Sequence, residues 1–467
     1  MKKCILPIIM AALGTAALFA QTLTDEDLAW AEQIRREAAE ANGEYNNTVV
    51  EEDVVPEAPP LEELTPQKKK GVPYPYRRYF EFGLNNVGAG FANNFLGVGD
   101  IFRKQLTVNR ELFKKIKTDG FMVDFEVDAG AFINVNARNW GFDITVSTMG
   151  DVSFEAPKSF FTLLSEGNKD LHSSSGTFSV YGAVYAEAAV DIHARFLKNK
   201  QLKISVIPSM FIPLVYIPKN GISYNLIMER DKAAFSVDGG LDMYTPLSID
   251  ALMDDPNSVD YMSMLNAKGF DLSLNAEYDV FKDKHDWLTV GFNVRSIPFA
   301  ASTLRHRAFA SLGDKPWTII DTDDLMSGLN SGDDDLFNLP SGDDIQIDSV
   351  EGKIEVRRPL RFDLYSNMRP FGTKIVVVRP SIGWTAAYTL DKKMHFNYSL
   401  TAELNAPVFL LRLFTAYDEL VYKHGLMIGL NFRVIEVDVG VDVRSRDFAK
   451  SFDLNGVKVW VGARVGF

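Results

Sequence analysis

A period-two alternation of apolar and polar side chains recurs from Tyr79 to Phe467 and constrains this chain more than any other feature. Successive side chains on a strand point to opposite faces, so each run makes a ribbon with one oily and one polar side. The clearest is Phe270 to Phe281, FDLSLNAEYDVF. Phe270, Leu272, Leu274, Ala276, Tyr278 and Val280 share one face, and Asp271, Ser273, Asn275, Glu277 and Asp279 share the other. Similar runs span Phe121 to Arg138, Trp140 to Thr148, Phe178 to Phe196, Leu288 to Arg295, Leu360 to Arg369, Ile382 to Leu390, Phe396 to Leu404, Leu426 to Arg433 and Ile435 to Arg444. Weaker ones near Tyr79, Leu202, Phe235 and Val376 bring the expected total to about 14 strands. No helix-period segment of comparable strength follows Lys117.

Such ribbons can stack as a soluble sandwich, with the oily faces packed together, or close into a membrane barrel, with the oily faces in lipid and the polar faces around a lumen. Several runs reach the ~9–11 residues of a tilted membrane strand, beyond the ~5–6 usual in sandwiches. The polar faces carry many charges, which a wet lumen tolerates and a packed interior does not. Tyr79, Phe80, Trp140, Tyr216, Trp287, Tyr398 and Trp460 lie near strand ends, as residues at a membrane–water boundary do. Val457 to Phe467, VKVWVGARVGF, alternates without a fault and ends in Phe467. The expected fold is therefore all-β: a transmembrane antiparallel barrel over residues 79–467.

Met1 to Ala20 reads as an export signal: Lys2 and Lys3, an apolar stretch from Ile5 to Phe19, then Leu18-Phe19-Ala20 before Gln21. Residues 21–78 read as a periplasmic segment. Thr24 to Asn42 suits a short polar helix capped by Thr24, and Glu44 to Pro75, rich in Pro, Glu and Lys, suits a disordered tether. The single cysteine, Cys4, rules out a disulfide scaffold, and a net charge of -13 with pI near 5.1 argues against nucleic acid as a partner.

The barrel layout, the Phe467 strand and the Gly/Ala/Asn stretch Gly88 to Asn94 resemble the outer-membrane long-chain fatty-acid transporter family. That resemblance implies a luminal hatch and passage of small molecules, hydrophobic ones included, and recognition of the last strand by the barrel-insertion machinery. The chain departs from the family in placing a charged helix and tether before the barrel, and no ligand-binding residue carries over. Within residues 85–117, Asn85, Asn86, Gly88, Gly90, Asn93 and Asn94 are candidates for a plug, with a possible amphipathic helix at Asn109 to Lys117. Glu187, Asp191, His193, Asp271, Glu277, Asp279, Arg295, Arg361, Asp363, Glu403, Arg433, Glu436, Asp438 and Asp442 are expected to line the lumen. Acids outnumber bases among them, which predicts preference for cations.

Leu304 to Gly352, dense in Asp, is expected to be an extracellular loop. Outer-membrane lipid is the expected surrounding partner. Catalysis has little support: His172 beside Ser173 to Ser175, and Asp191 with His193, are neighbours of a kind that chance supplies. No nucleophile elbow, metal-ligand spacing or cofactor motif is present, so no catalytic residue, metal or cofactor is expected. The competing reading is a structural or adhesive surface barrel that transports nothing.

Overall fold

The computed structural model describes residues 78–95, 116, 120–137, 139–166, 173–197, 199–228, 233–249, 251, 260–280, 287–311, 317–320, 346–370, 375–386, 393–418, 420–432 and 434–467. All lie in the compact unit Tyr74–Phe467. The expected export signal, polar helix and tether lie outside them, as do Arg433, His172 and most of the acidic loop.

The strands are β1 (Phe80–Asn93), β2 (Phe121–Asn136), β3 (Trp140–Ala156), β4 (Ser174–Phe196), β5 (Leu202–Met228), β6 (Ala233–Thr245), β7 (Gly269–Asp279), β8 (Leu288–Ala300) and β9 (Ser302–Ser311). They continue as β10 (Trp317–Ile320), β11 (Gln346–Val356), β12 (Leu360–Met368), β13 (Val376–Ala386), β14 (His395–Asn405), β15 (Phe409–Asp418), β16 (Val421–Phe432), β17 (Ile435–Ser445) and β18 (Gly456–Gly466). Each pairs antiparallel with its neighbours, and β1 pairs with both β2 and β18, which closes the sheet. The first half of β5 pairs with β7 and the second half with β6, so β6 and β7 form one wall strand divided by residues 246–268. Likewise β8–β9 and β11–β12 are single wall strands, interrupted at Ala301 and at 357–359. With β10 a short addition to β6, the wall has the 14 strands that the alternation predicts.

Exposure runs opposite to that of a soluble protein. On β17, Val437 and Val439 are 41% and 53% exposed, whereas Asp438 and Asp442 are each 3% exposed. Phe125, Ile133, Ile192, Leu400, Leu413, Ile428 and Val459 are exposed in the same outward sense. Among the described residues no second protein layer covers these side chains, as a sandwich would require. They form the surface that a barrel presents to acyl chains. Across the outer face of β8, β12, β13 and β14, Phe292, Phe362, Trp384 and Phe396 make a ladder with ring centroids 4.7–5.9 Å apart. Trp140 and Trp287 stand exposed at strand starts. Tyr216 and Trp460 depart from the expected boundary role, because both are buried.

Several elements are absent from the sequence reading. β15 begins Phe409-Leu410-Leu411, where Leu410 is buried and packs with Met427 and Trp460. That inward apolar residue hides the alternation. β9 and β11 extend the wall through both ends of the segment expected to be a loop. A short helix, α1 (Lys158–Glu166), sets Phe160 against Phe178 and Phe161 against Phe121, and a one-turn helix, α2 (Phe448–Ser451), is capped by Asp447. A 3-10 turn at Tyr261–Ala267 also escapes the pattern. Its Ala267 joins Phe211, Leu214, Leu304 and Val356 in an apolar cluster, and all of Phe211 to Ile217 is buried.

The inner wall is made by close approach. Trp460 lies against Gly440, where an added Cβ would sit 2.1 Å from the indole Cζ2. A side chain at 440 therefore overpacks the wall. We expect Gly440→Val to cost about 1–3 kcal/mol, read as a lower urea midpoint in detergent, with Trp460→Ala in the same chain recovering part of the loss.

Candidate functional site: a charge-lined chamber inside the barrel

Because one-residue alternation sends every second side chain inward, the polar faces of all strands meet inside the barrel. There they line a chamber of about 610 Å³. Six carboxylates border it (Asp124, Glu126, Asp128, Asp151, Glu187 and Asp418) together with six bases (Arg295, Arg358, Arg361, Lys423, Arg444 and Arg446). At this chamber wall the signs balance, whereas acids outnumber bases among the lumen residues expected from sequence.

The groups form a belt of alternating sign. Lys458 on β18 binds Glu126 at 2.6 Å and also contacts Asp128, both on β2. Arg444 binds Asp442 at 2.6 and 2.8 Å and contacts Glu126. Lys423 lies 3.6 Å from Glu126 and 3.4 Å from Asp418. Arg361 reaches Asp418 at 2.8 Å, three strands away across β13 and β14, and holds Asp363 at 3.2 Å. Asp363 in turn takes Arg295 at 2.8 Å. Arg446, just after β17, crosses past β18 and β1 to donate to Asp124 at 2.6 and 2.9 Å and to Tyr181 at 3.2 Å.

Arg358, at the break between β11 and β12, completes the belt. It donates to Asp271 at 2.7 Å, to Glu187 at 2.9 Å and to Ser209 at 2.8 Å, with its guanidinium 5.0 Å above the Phe211 ring. A planar fork of donors suits this multiple grip, which a lysine could not reproduce.

The other residues singled out in the sequence are distributed along the wall. Glu277 accepts from Tyr365 at 2.8 Å, and Asp279 accepts from Thr289 at 2.7 Å. Glu403 accepts from Arg412 at 3.0 Å. Glu436 meets Arg78 at 3.2 Å, and Asp438 lies 3.6 Å from Arg464. Asp191 and His193 stand apart from the belt, beside Asp143. The plug assignment is corrected for the stretch up to Asn94. Asn85, Gly88 and Gly90 are residues of β1, Gly88 and Gly90 paired to both neighbours and Asn85 to β2, and Asn86 (φ 49°) sits in its bulge and borders the chamber. Gly88 and Gly90 admit the close passage of Trp460 and Lys458. Asn93 and Asn94 tie the strand end, Asn94 bonding Gly120 O and Met122 N at 2.9 Å. Residues 96–115 and the rest of the proposed plug helix, Ile116 apart, lie outside the described residues.

Residues 71–207 match a family described as a family of unknown function (DUF5723). No curated protein matches the chain by sequence. Among solved structures it is similar to the toluene transporter TbuX of Ralstonia pickettii, at 7% identity and TM-score 0.42 over 84% of this chain and 90% of that one. It is also similar to the toluene transporter TodX of Pseudomonas putida (8%, TM-score 0.41, 83% and 89%) and to a FadL homologue of Pseudomonas aeruginosa (10%, TM-score 0.35, 83% and 90%). At these values the likeness brings no ligand and no residue role with it.

Sequence reasoning did not single out Asp124, Glu126, Arg444 and Lys458, although their runs were recognised; Lys423 and Arg446 lie outside the recognised runs, and Arg358 sits at a strand break where alternation gives no signal. Replacing Arg358 leaves two carboxylates facing each other without a cation. We expect Arg358→Met to cost about 3 kcal/mol, and Asp271→Asn added to it to restore part. The urea midpoint of the refolded barrel measures both.

Proposed function

We propose that this chain is an outer-membrane barrel through which small solutes pass, and that the chamber favours polar and zwitterionic solutes over oily ones. The observation that carries this reading is the chamber wall, with its six acids and six bases. An oily solute would strip water from ionised groups and return no hydrogen bonds, whereas a solute bearing both signs can exchange partners with the belt. Export through Met1 to Ala20 fits this setting. So does handling by the insertion machinery through β18, whose terminal Phe467 is 69% exposed and packs 5.5 Å from Phe80.

The second reading, a structural barrel, is favoured by the ion pairs that brace the chamber from wall to wall, Arg446 to Asp124 above all. Planar-bilayer recordings separate the two. The channel reading expects conductance with a reversal potential near zero in a salt gradient, and a shift toward cation selectivity in Arg446→Glu. Absence of conductance, with no swelling of proteoliposomes in amino acids, supports the structural reading. Uptake confined to apolar compounds overturns the polar-solute assignment.

A further inference from the structure

A second inward-facing cluster of ionisable groups lies away from the belt. Asp143 on β3 and Asp191 on β4 are directly paired residues, and His193 follows two positions on. Their neighbours Ile144 and Ile192 are exposed on the outer face, so the three side chains point inward. One ligand atom from each, two carboxylate oxygens and an imidazole nitrogen, lie within 4.8 Å of one another.

Five buried side-chain atoms among the described residues have no hydrogen-bond partner, and three of them are Asp143 Oδ1, Asp191 Oδ1 and His193 Nδ1. His193 is 7% exposed, and its Nδ1 stands 3.6 Å from Asp191 Oδ1, too far for a hydrogen bond. The imidazole is held from behind. Asn136 Nδ2 donates to Asn134 Oδ1 at 2.7 Å, which turns Asn136 Oδ1 toward His193 Nε2 at 3.1 Å. An oxygen at that position calls for a proton on Nε2 and leaves Nδ1 with its lone pair turned to the two carboxylates. Gly141 gives the ring its seat, since a Cβ there would fall 2.5 Å from Nε2. Three acceptors thus converge with no donor between them, around a histidine whose second nitrogen is already fixed, as metal-ligating histidines are.

We propose that Asp143, Asp191 and His193 bind a divalent first-row transition-metal ion inside the barrel. Small side-chain rotations bring three such atoms to the ~2.0–2.2 Å of ligand bonds. One imidazole with two carboxylates suits zinc, cobalt or nickel, whereas calcium and magnesium take all-oxygen shells. Three protein ligands leave positions for water or for a group on a passing solute. Lys203 acts electrostatically on both Asp143 and His193, and Arg195 on His193, so a bound ion must compete with their charge. No ligand spacing marks the site, because Asp143 reaches the pair through strand register and not through a motif.

The test uses tag-free full-length protein, folded in detergent and washed with chelator. Co2+ is followed by its visible absorption and Zn2+ by calorimetry and by displacement of Co2+. We expect saturable binding of one ion per chain and no binding of Ca2+ over the same range. Asp143→Asn, Asp191→Asn and His193→Gln should each weaken Co2+ binding at least tenfold, with folding verified by heat-modifiable gel mobility. Asn136→Ala should weaken it by about 10–100-fold. The proposal fails if the wild type shows no saturable Co2+ or Zn2+ binding, if all three ligand variants bind as the wild type does, or if Ca2+ binds equally well.

Discussion

Hydrocarbon offers a peptide group nothing to bond with, so a sheet placed in it must satisfy its own edges. Here β1 meets β18 from Glu81↔Gly466 to Ala92↔Gly456 and β2 from Phe80↔Val135 to Asn93↔Val123, and no wall strand is left open on that side. Closure dictates everything else. Once the sheet is a tube, alternation assigns each side chain to lipid or to lumen, and the exposed valines and buried aspartates of β17 are the direct result.

Closure also gathers charge. Fourteen polar faces directed into one tube would repel one another if their acids were left unpaired, and the free energy of partly desolvated carboxylates rises steeply without cations nearby. The belt answers this with bases supplied from distant strands: Arg361 to Asp418, Arg446 to Asp124, Arg358 to Glu187 and Asp271. These pairs also tie together wall strands two to four apart, so the chamber is stiffened by the groups that make it polar. Glycines opposite bulky inward residues, such as Gly440 beneath Trp460 and Gly291 beneath Tyr365, let the remaining wall lie close-packed.

The sequence displayed the architecture because alternation is a one-dimensional signal, readable wherever the two faces differ in polarity. It failed where they do not. Leu410 turns an apolar group inward, and Phe211 to Ile217 is covered on both faces, so neither segment announces its strand by contrast. The Gly/Asn richness of Gly83 to Asn94 pointed to an irregular plug, yet it reflects a bulge at Asn86 and close passage of β18. Charge balance was misjudged for a related reason. Individual acids could be placed on inward faces, but Arg358 lies at a break and Arg446 beyond a strand end, where period two says nothing about direction. Which acid met which base depended on register across several strands, and a single run carries no register information.

The belt and the triad differ in a way that bears on what crosses the barrel. In the belt, acids and bases are already bound to each other, so a solute must compete with partners in place and gains little from any single contact. Asp143, Asp191 and His193 lie at the opposite end, where Asn136 bonds Tyr79 O and Tyr79 N bonds Phe467 O, near both ends of the closed sheet. There Asp143 Oδ1, Asp191 Oδ1 and His193 Nδ1 have no hydrogen-bond partner. On the proposed channel reading, a path through the chamber runs from paired charge toward these three acceptors. On the proposed readings, neutral and zwitterionic solutes pass the belt and a metal ion is held at Asp143, Asp191 and His193.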